Sequence, residues 1–212
     1  MKTNPITKSL HLLPAAVAIA LLGASPAHAS ILFTIESVGA TSPSTDNSFE
    51  VDLTNTGGDV TIDAFSFGLM VGTTDITFTS ATIDTTVNPY IFAGNSLFGP
   101  VISTTSPGQT VLASDLWGGA GDGFTVGAGT SVGLGEVFFD VGPGASPGPD
   151  TVSFVSADDS LSDIDGDPIP IDGESSGTIT VAGGTSTTPE PSTLLLLSLP
   201  LALLVWTRKR HS

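Results

Sequence analysis

Between residues 30 and 181 the apolar positions recur every second residue in short runs, and no stretch keeps a helical period. Eight runs stand out: ILFTIES, SFEVDLTNT, AFSFGLMV, DITFTSATI, TVLASDLW, SVGLGEVFFDV, TVSFVSA and SGTITVAG. Valine, threonine, isoleucine and phenylalanine dominate them, which suits a pleated, half-buried surface. Clusters that favour turns, such as NTGGD, SPGQ, GGAGDG and GPGASPGPD, separate most of the runs. The pattern predicts an all-β protein, an antiparallel β-sandwich of eight to nine strands forming one domain over residues 30–181. In FEVDL, Phe49, Val51 and Leu53 are expected to point inward and Glu50 and Asp52 outward, as in a sheet with one wet face. Residues 182–188, AGGTSTT, read as a small-residue linker.

The two ends follow other rules. Lys2 and Lys8 precede an apolar stretch over residues 10–22, and Ala27-His28-Ala29 fits the small-x-small pattern of a secretory cleavage site. Residues 1–29 are therefore expected to be a signal peptide, with Ser30 as the mature N-terminus. At the other end, residues 193–207 are almost wholly apolar, and Arg208, Lys209 and Arg210 follow directly. Fifteen helical residues rise about 22 Å, against a hydrocarbon core of roughly 30 Å. Snorkelling bases and local thinning make up the difference. Pro200 would kink the helix, which a bilayer segment tolerates. The bases place the C-terminus in the cytoplasm and residues 30–190 outside. A buried soluble helix fits less well, since Leu194 to Leu197 leave no polar face.

Just before this run stand Pro189-Glu190-Pro191 and Ser192-Thr193. The tripeptide, the short apolar span and the terminal Arg208-Lys209-Arg210 together resemble the PEP-CTERM sorting signal over residues 189–212. That resemblance implies an exported bacterial protein presented to exosortase, a membrane-embedded processing protease. Physically, two prolines hold the backbone extended and remove donors, so the segment stays accessible beside the bilayer.

Charge divides along the same lines. All five Lys and Arg lie in the terminal segments, as do the three histidines, while the 21 acidic residues run from Glu36 to Glu190. The formal net charge of −16 thus hides an exported body with 21 negative side chains and no Lys or Arg. Such a body cannot neutralise phosphates, which excludes nucleic acid as a partner. It has no internal salt bridges to form, so each carboxylate must be solvated, hydrogen-bonded, protonated or bound to a cation. The chain has no cysteine, so disulfides and thiol chemistry are excluded.

The order of the runs resembles cohesin-like and carbohydrate-binding-module-like sandwiches. The carrying elements are FEVDLTNTGG, AFSFGLMV, a glycine-rich turn before SVGLGEVFFDV, then SLSDIDGDPIPI and a closing GTITV. This resemblance implies a fold; no dockerin-like segment accompanies it. Two places could hold chemistry. Asp163, Asp165 and Asp167 alternate around Gly166, a spacing that could offer oxygens to Ca²⁺, although Pro168 stands where an EF-hand needs glycine. Tyr90, with Phe92, Phe98 and a Trp117 expected to be exposed beside two glycines, could stack on sugar rings. No catalytic set is nominated: without Cys, Lys, Arg or His in the body, only carboxylate or tyrosine chemistry remains, and no pair is singled out. The expectation is a non-enzymatic cell-surface or extracellular-matrix protein with a structural or adhesive sandwich. A carbohydrate-binding module for the matrix exopolysaccharide is the alternative.

Overall fold

The computed structural model describes residues 28–99, 103–104 and 108–183. The expected signal peptide before His28 and the expected PEP-CTERM signal with its apolar run lie outside these residues. Among the described residues no helix is long and apolar enough to cross a membrane.

Among the described residues fourteen strands follow one another: β1 (Ile31–Ile35), β2 (Val38–Thr41), β3 (Ser44–Asn55), β4 (Val60–Ile62), β5 (Ala64–Val71), β6 (Ile76–Thr82), β7 (Ser103–Thr104), β8 (Thr110–Leu116), β9 (Phe124–Val126), β10 (Thr130–Val141), β11 (Gly148–Phe154), β12 (Ser160–Ser162), β13 (Gly173–Ser175) and β14 (Gly177–Ala182). One sheet has the order β13-β1-β3-β10-β6 and the other β2-β14-β11-β5-β8-β7, with β12 beside β5. β4 and β9 form a separate ribbon. All eight predicted runs are strands. The count exceeds eight to nine because short pieces flank them, and the sandwich is not wholly antiparallel: β1 pairs with β13, and β2 with β14, in parallel. The cause is that the chain switches sheets between β1 and β2 and again between β13 and β14. β14 runs to Ala182, one residue into the expected linker.

The alternation does the packing. Phe49, Val51 and Leu53 of β3 are buried, opposite Val137, Gly135 and Val132 of β10. Phe33, Phe67, Phe78, Phe92 and Phe139 complete an aromatic-rich core. Phe49 meets Phe78 edge-on at 6.1 Å and Phe139 at 5.8 Å, within the favourable range for ring pairs. Fully burying each such side chain contributes roughly 1.5–3 kcal/mol.

Glu50 and Asp52 do not face water as expected. They lie on the other face of β3, but the segment after β6 folds across that face, so Glu50 is only 2 % exposed. Gly133 permits this close approach: a Cβ there would sit 2.7 Å from the Thr85 methyl and 2.9 Å from Glu50 Oε1.

Candidate functional site

With no Lys or Arg in residues 28–183, the buried carboxylates are held by backbone donors or by each other. Glu50 is the clearest case. Its Oε2 accepts the amides of Thr86 at 2.9 Å and Val87 at 2.7 Å, and its Oε1 accepts that of Asn88 at 2.8 Å. Three converging amides do the work of a cation and pin the segment to β3. Asp52, two residues on and on the same face, has no such set, and its Oδ1 is buried without a partner. Burial, and next the Glu50 carboxyl beside it, push the Asp52 carboxyl up to about 7.

A second knot closes one end of the sandwich. Val111, Ala113 and Asp115 share the inward phase of β8, and all three are buried. Asp115 Oδ2 accepts the Tyr90 hydroxyl at 2.5 Å, while Oδ1 accepts the Leu116 amide at 2.8 Å. Burial and the Asp115 carboxylate raise the Tyr90 hydroxyl far above the usual tyrosine range, so it remains a donor.

A second carboxyl pair lines a cavity of about 360 Å³ between β12 and the segment leading into β13. Asp159 sits in the turn before β12, where its Oδ1 accepts the Gly68 amide at 2.8 Å. Gly68 gives that turn its room, since a Cβ would lie 2.7 Å from Asp158 Cβ. Asp159 Oδ2 is buried without a hydrogen-bond partner. Burial pushes the Asp159 carboxyl up to about 7, and the neighbouring Glu174 carboxyl adds to the effect. Ser156 Oγ donates to Glu174 Oε2 at 2.7 Å. Leu161, Pro168, Ile169 and Ile171 form the apolar wall. A shallower depression lined by Gly39, Ala40, Thr41, Asn47, Thr180 and Ala182 offers no titratable group.

The expected sites fare differently. Tyr90 and Phe92 are buried core residues, at 6 % and 0 % exposure, and present no face to a sugar. The cause is the Asp115 bond, which draws Tyr90 inward, where its ring meets Phe65 edge-on at 6.4 Å. Trp117 is half-buried rather than exposed. It packs against Phe92 and Phe124, and Gly119 leaves space for its indole. Its Nε1 is buried without a partner. Phe98 alone is open, at 47 %.

The acidic loop closes on itself. Asp163 Oδ1 accepts the amides of Asp165 at 3.0 Å and Asp167 at 2.9 Å, with Gly166 in a left-handed conformation. Among the described residues no three His, Asp or Glu side chains converge on one metal-sized point.

Sequence reasoning missed the burial of Glu50 and Asp115 and the partial burial of Asp52 and of Asp159 beside Glu174. For Asp115 a signal existed: it continues the apolar phase of Val111 and Ala113. For the others none did, because segments remote in sequence bury them.

Two sheets in this order, with the first and last strands divided between them, define a cohesin-type β-sandwich. Solved structures bear this out. A chain of the type I cohesin–dockerin complex Coh-OlpC–Doc435 from Clostridium thermocellum is similar at 14 % identity, over 76 % of this chain and 99 % of that one, with a TM-score of 0.53. The seventh ScaB type I cohesin from Pseudobacteroides cellulosolvens is similar at 18 % identity, over 74 % and 96 %, with a TM-score of 0.51. A non-cellulosomal cohesin from the hyperthermophilic archaeon Archaeoglobus fulgidus is similar at 12 % identity, over 72 % and 91 %, with a TM-score of 0.50. At these identities the likeness establishes the fold. No protein-family model matches the chain, and no curated protein matches it.

Proposed function

We propose that this is a non-enzymatic, exported cell-surface protein whose cohesin-type sandwich serves as an adhesive module for a protein partner. The supporting observation is architectural. One cohesin-sized sandwich spans residues 31–182. Among the solved relatives are cohesins bound to dockerins, which makes docking of a protein the nearest precedent for this sandwich. The terminal segments supply the itinerary: residues 1–29 as the export signal, and residues 189–212 as a PEP-CTERM signal that holds the protein at the membrane for an exosortase-type protease. The mature protein then stays at the cell surface or in the extracellular matrix.

Deleting residues 189–212 tests the itinerary. Cell fractionation should move the protein from the envelope to the medium, and an unchanged distribution overturns the reading. The alternative, binding of matrix exopolysaccharide, rests on the half-buried Trp117 with its unpartnered Nε1. A polysaccharide pull-down lost on Trp117→Ala would favour it over protein docking.

A further inference from the structure

The cavity beside β12 combines two features that call for one kind of guest. Its lining includes the Asp159–Glu174 carboxyl pair, of which Glu174 is exposed and within reach of a guest. Its wall is apolar, made by Leu161, Pro168, Ile169 and Ile171, of which Ile169 and Ile171 also pack on the core. The pair is held in place from outside: Asp159 by the Gly68 amide, Glu174 by Ser156. The sandwich has no Lys or Arg of its own to offer, so a cationic counter-charge for this pair can come only from another molecule.

A hydrated metal ion suits this lining badly. Calcium asks for six to eight oxygens, and the side chains of Leu161, Pro168, Ile169 and Ile171 supply none. A basic side chain suits it well, because its methylene stem covers apolar surface while its head meets the carboxylates. We propose that this cavity is a receptor for a lysine or arginine side chain of the partner protein. This rests on the protein-docking reading above and gives the partner a chemistry: a basic residue projecting from its docking surface, entering between β12 and β13. The 20 acidic side chains of residues 28–183 would steer such a partner from a distance, and the cavity would fix where its basic residue lands.

The test uses the full chain, ¹⁵N-labelled in detergent micelles, titrated with Nα-acetyl-arginine amide and Nα-acetyl-lysine amide. The norleucine derivative serves as the uncharged control. At least one cation should give saturable amide shifts at Gly68, Asp159, Ser160 and Glu174, with the norleucine compound at least about tenfold weaker. Glu174→Gln and Asp159→Asn should each weaken binding about tenfold, and Asp165→Asn, outside the cavity, should leave it unchanged. Glu174 is exposed, so its variant reads the cavity even if Asp159→Asn disturbs the turn. Shifts spread evenly over the acidic surface, or equal binding by norleucine, would overturn the proposal. So would Ca²⁺ saturating the same amides while neither organic cation does. Failure here with intact surface retention and partner capture would remove the cavity's role and leave the docking reading standing.

Discussion

Replacing Glu50 probes how a cation-free domain carries a buried charge. Its carboxylate accepts three backbone amides at 2.7–2.9 Å and is 2 % exposed. Hydrogen bonds to a charged group contribute about 1.5–3 kcal/mol each, so a naive sum exceeds 4 kcal/mol. Two terms reduce it. Thr86 and Val87 are exposed residues, so water can reach some of the freed amides. Glu50→Ala also removes the negative neighbour of Asp52, whose carboxyl then ionises more easily. The net cost expected for Glu50→Ala is about 2–4 kcal/mol, a large fraction of the roughly 5–15 kcal/mol that holds a domain folded. Glu50→Gln keeps one acceptor oxygen and should cost about 1–2 kcal/mol. Urea unfolding measures the stability, and hydrogen exchange at residues 86–88 measures the clamp itself. Accelerated exchange confined to those amides and their neighbours is the expected signature. A cost below about 1 kcal/mol for Glu50→Ala, or unchanged exchange at the three amides, would refute the idea that the carboxylate organises this segment.

The other predictions concern protons and the Tyr90 knot. Asp52 and Asp159 hold their protons up to about 7 in the fold and release them near 3.8 when unfolded, so the fold binds more protons between those values. Stability contributed this way is fully present below pH 3.8 and is lost as pH rises through 7, the reverse of ordinary acid denaturation. Both groups are partly open to solvent, so the loss per group is discounted to about 1–2 kcal/mol. Thermal melts from pH 4 to 8 should flatten in Asp52→Asn, and a wild-type melting temperature that rises over this window would contradict the assignment. Tyr90→Phe leaves the fully buried Asp115 carboxylate without its hydroxyl donor and should cost about 2–3 kcal/mol. A thermal shift near zero would mean that the Tyr90 hydroxyl does not stabilise Asp115 in the fold.

The strands were legible because their burial is set by neighbours on a regular lattice. Wherever Val, Phe or Ile alternated with Thr or Ser over five or more residues, a strand was there, and Phe49, Val51 and Leu53 point inward as the period requires. The short strands β2, β4, β7, β9, β12 and β13 carry two to four residues each, too few for a period to show. They exist because a longer partner offers them an edge. The site was less legible for a related reason. Glu50 and Asp52 obey the alternation perfectly, yet their face is covered by residues more than thirty positions away. Tyr90 in VNPYIF has the composition of an exposed aromatic loop until Asp115 is brought opposite it. Local pattern shows which face of a strand a residue occupies; only topology shows whether that face meets water.

The absence of lysine and arginine links these observations to binding. A domain with mixed charges can bury a carboxylate against its own base. This one must use backbone amides, as at Glu50, a tyrosine hydroxyl, as at Asp115, or a retained proton, as at Asp52 and Asp159. The first two solutions are complete, and both stitch loops to the core. The third leaves an unpartnered oxygen in each case. At Asp52 the crossing segment covers the neighbouring Glu50, and among the described residues no cavity opens beside the pair, so the retained proton acts on stability. At Asp159 the pair opens into a cavity with an apolar wall, where a cation from outside can take the proton's place. Of the two carboxyl pairs, the one beside an apolar-walled cavity offers another molecule both a counter-charge and a surface for its stem, and so turns the missing internal charge into affinity.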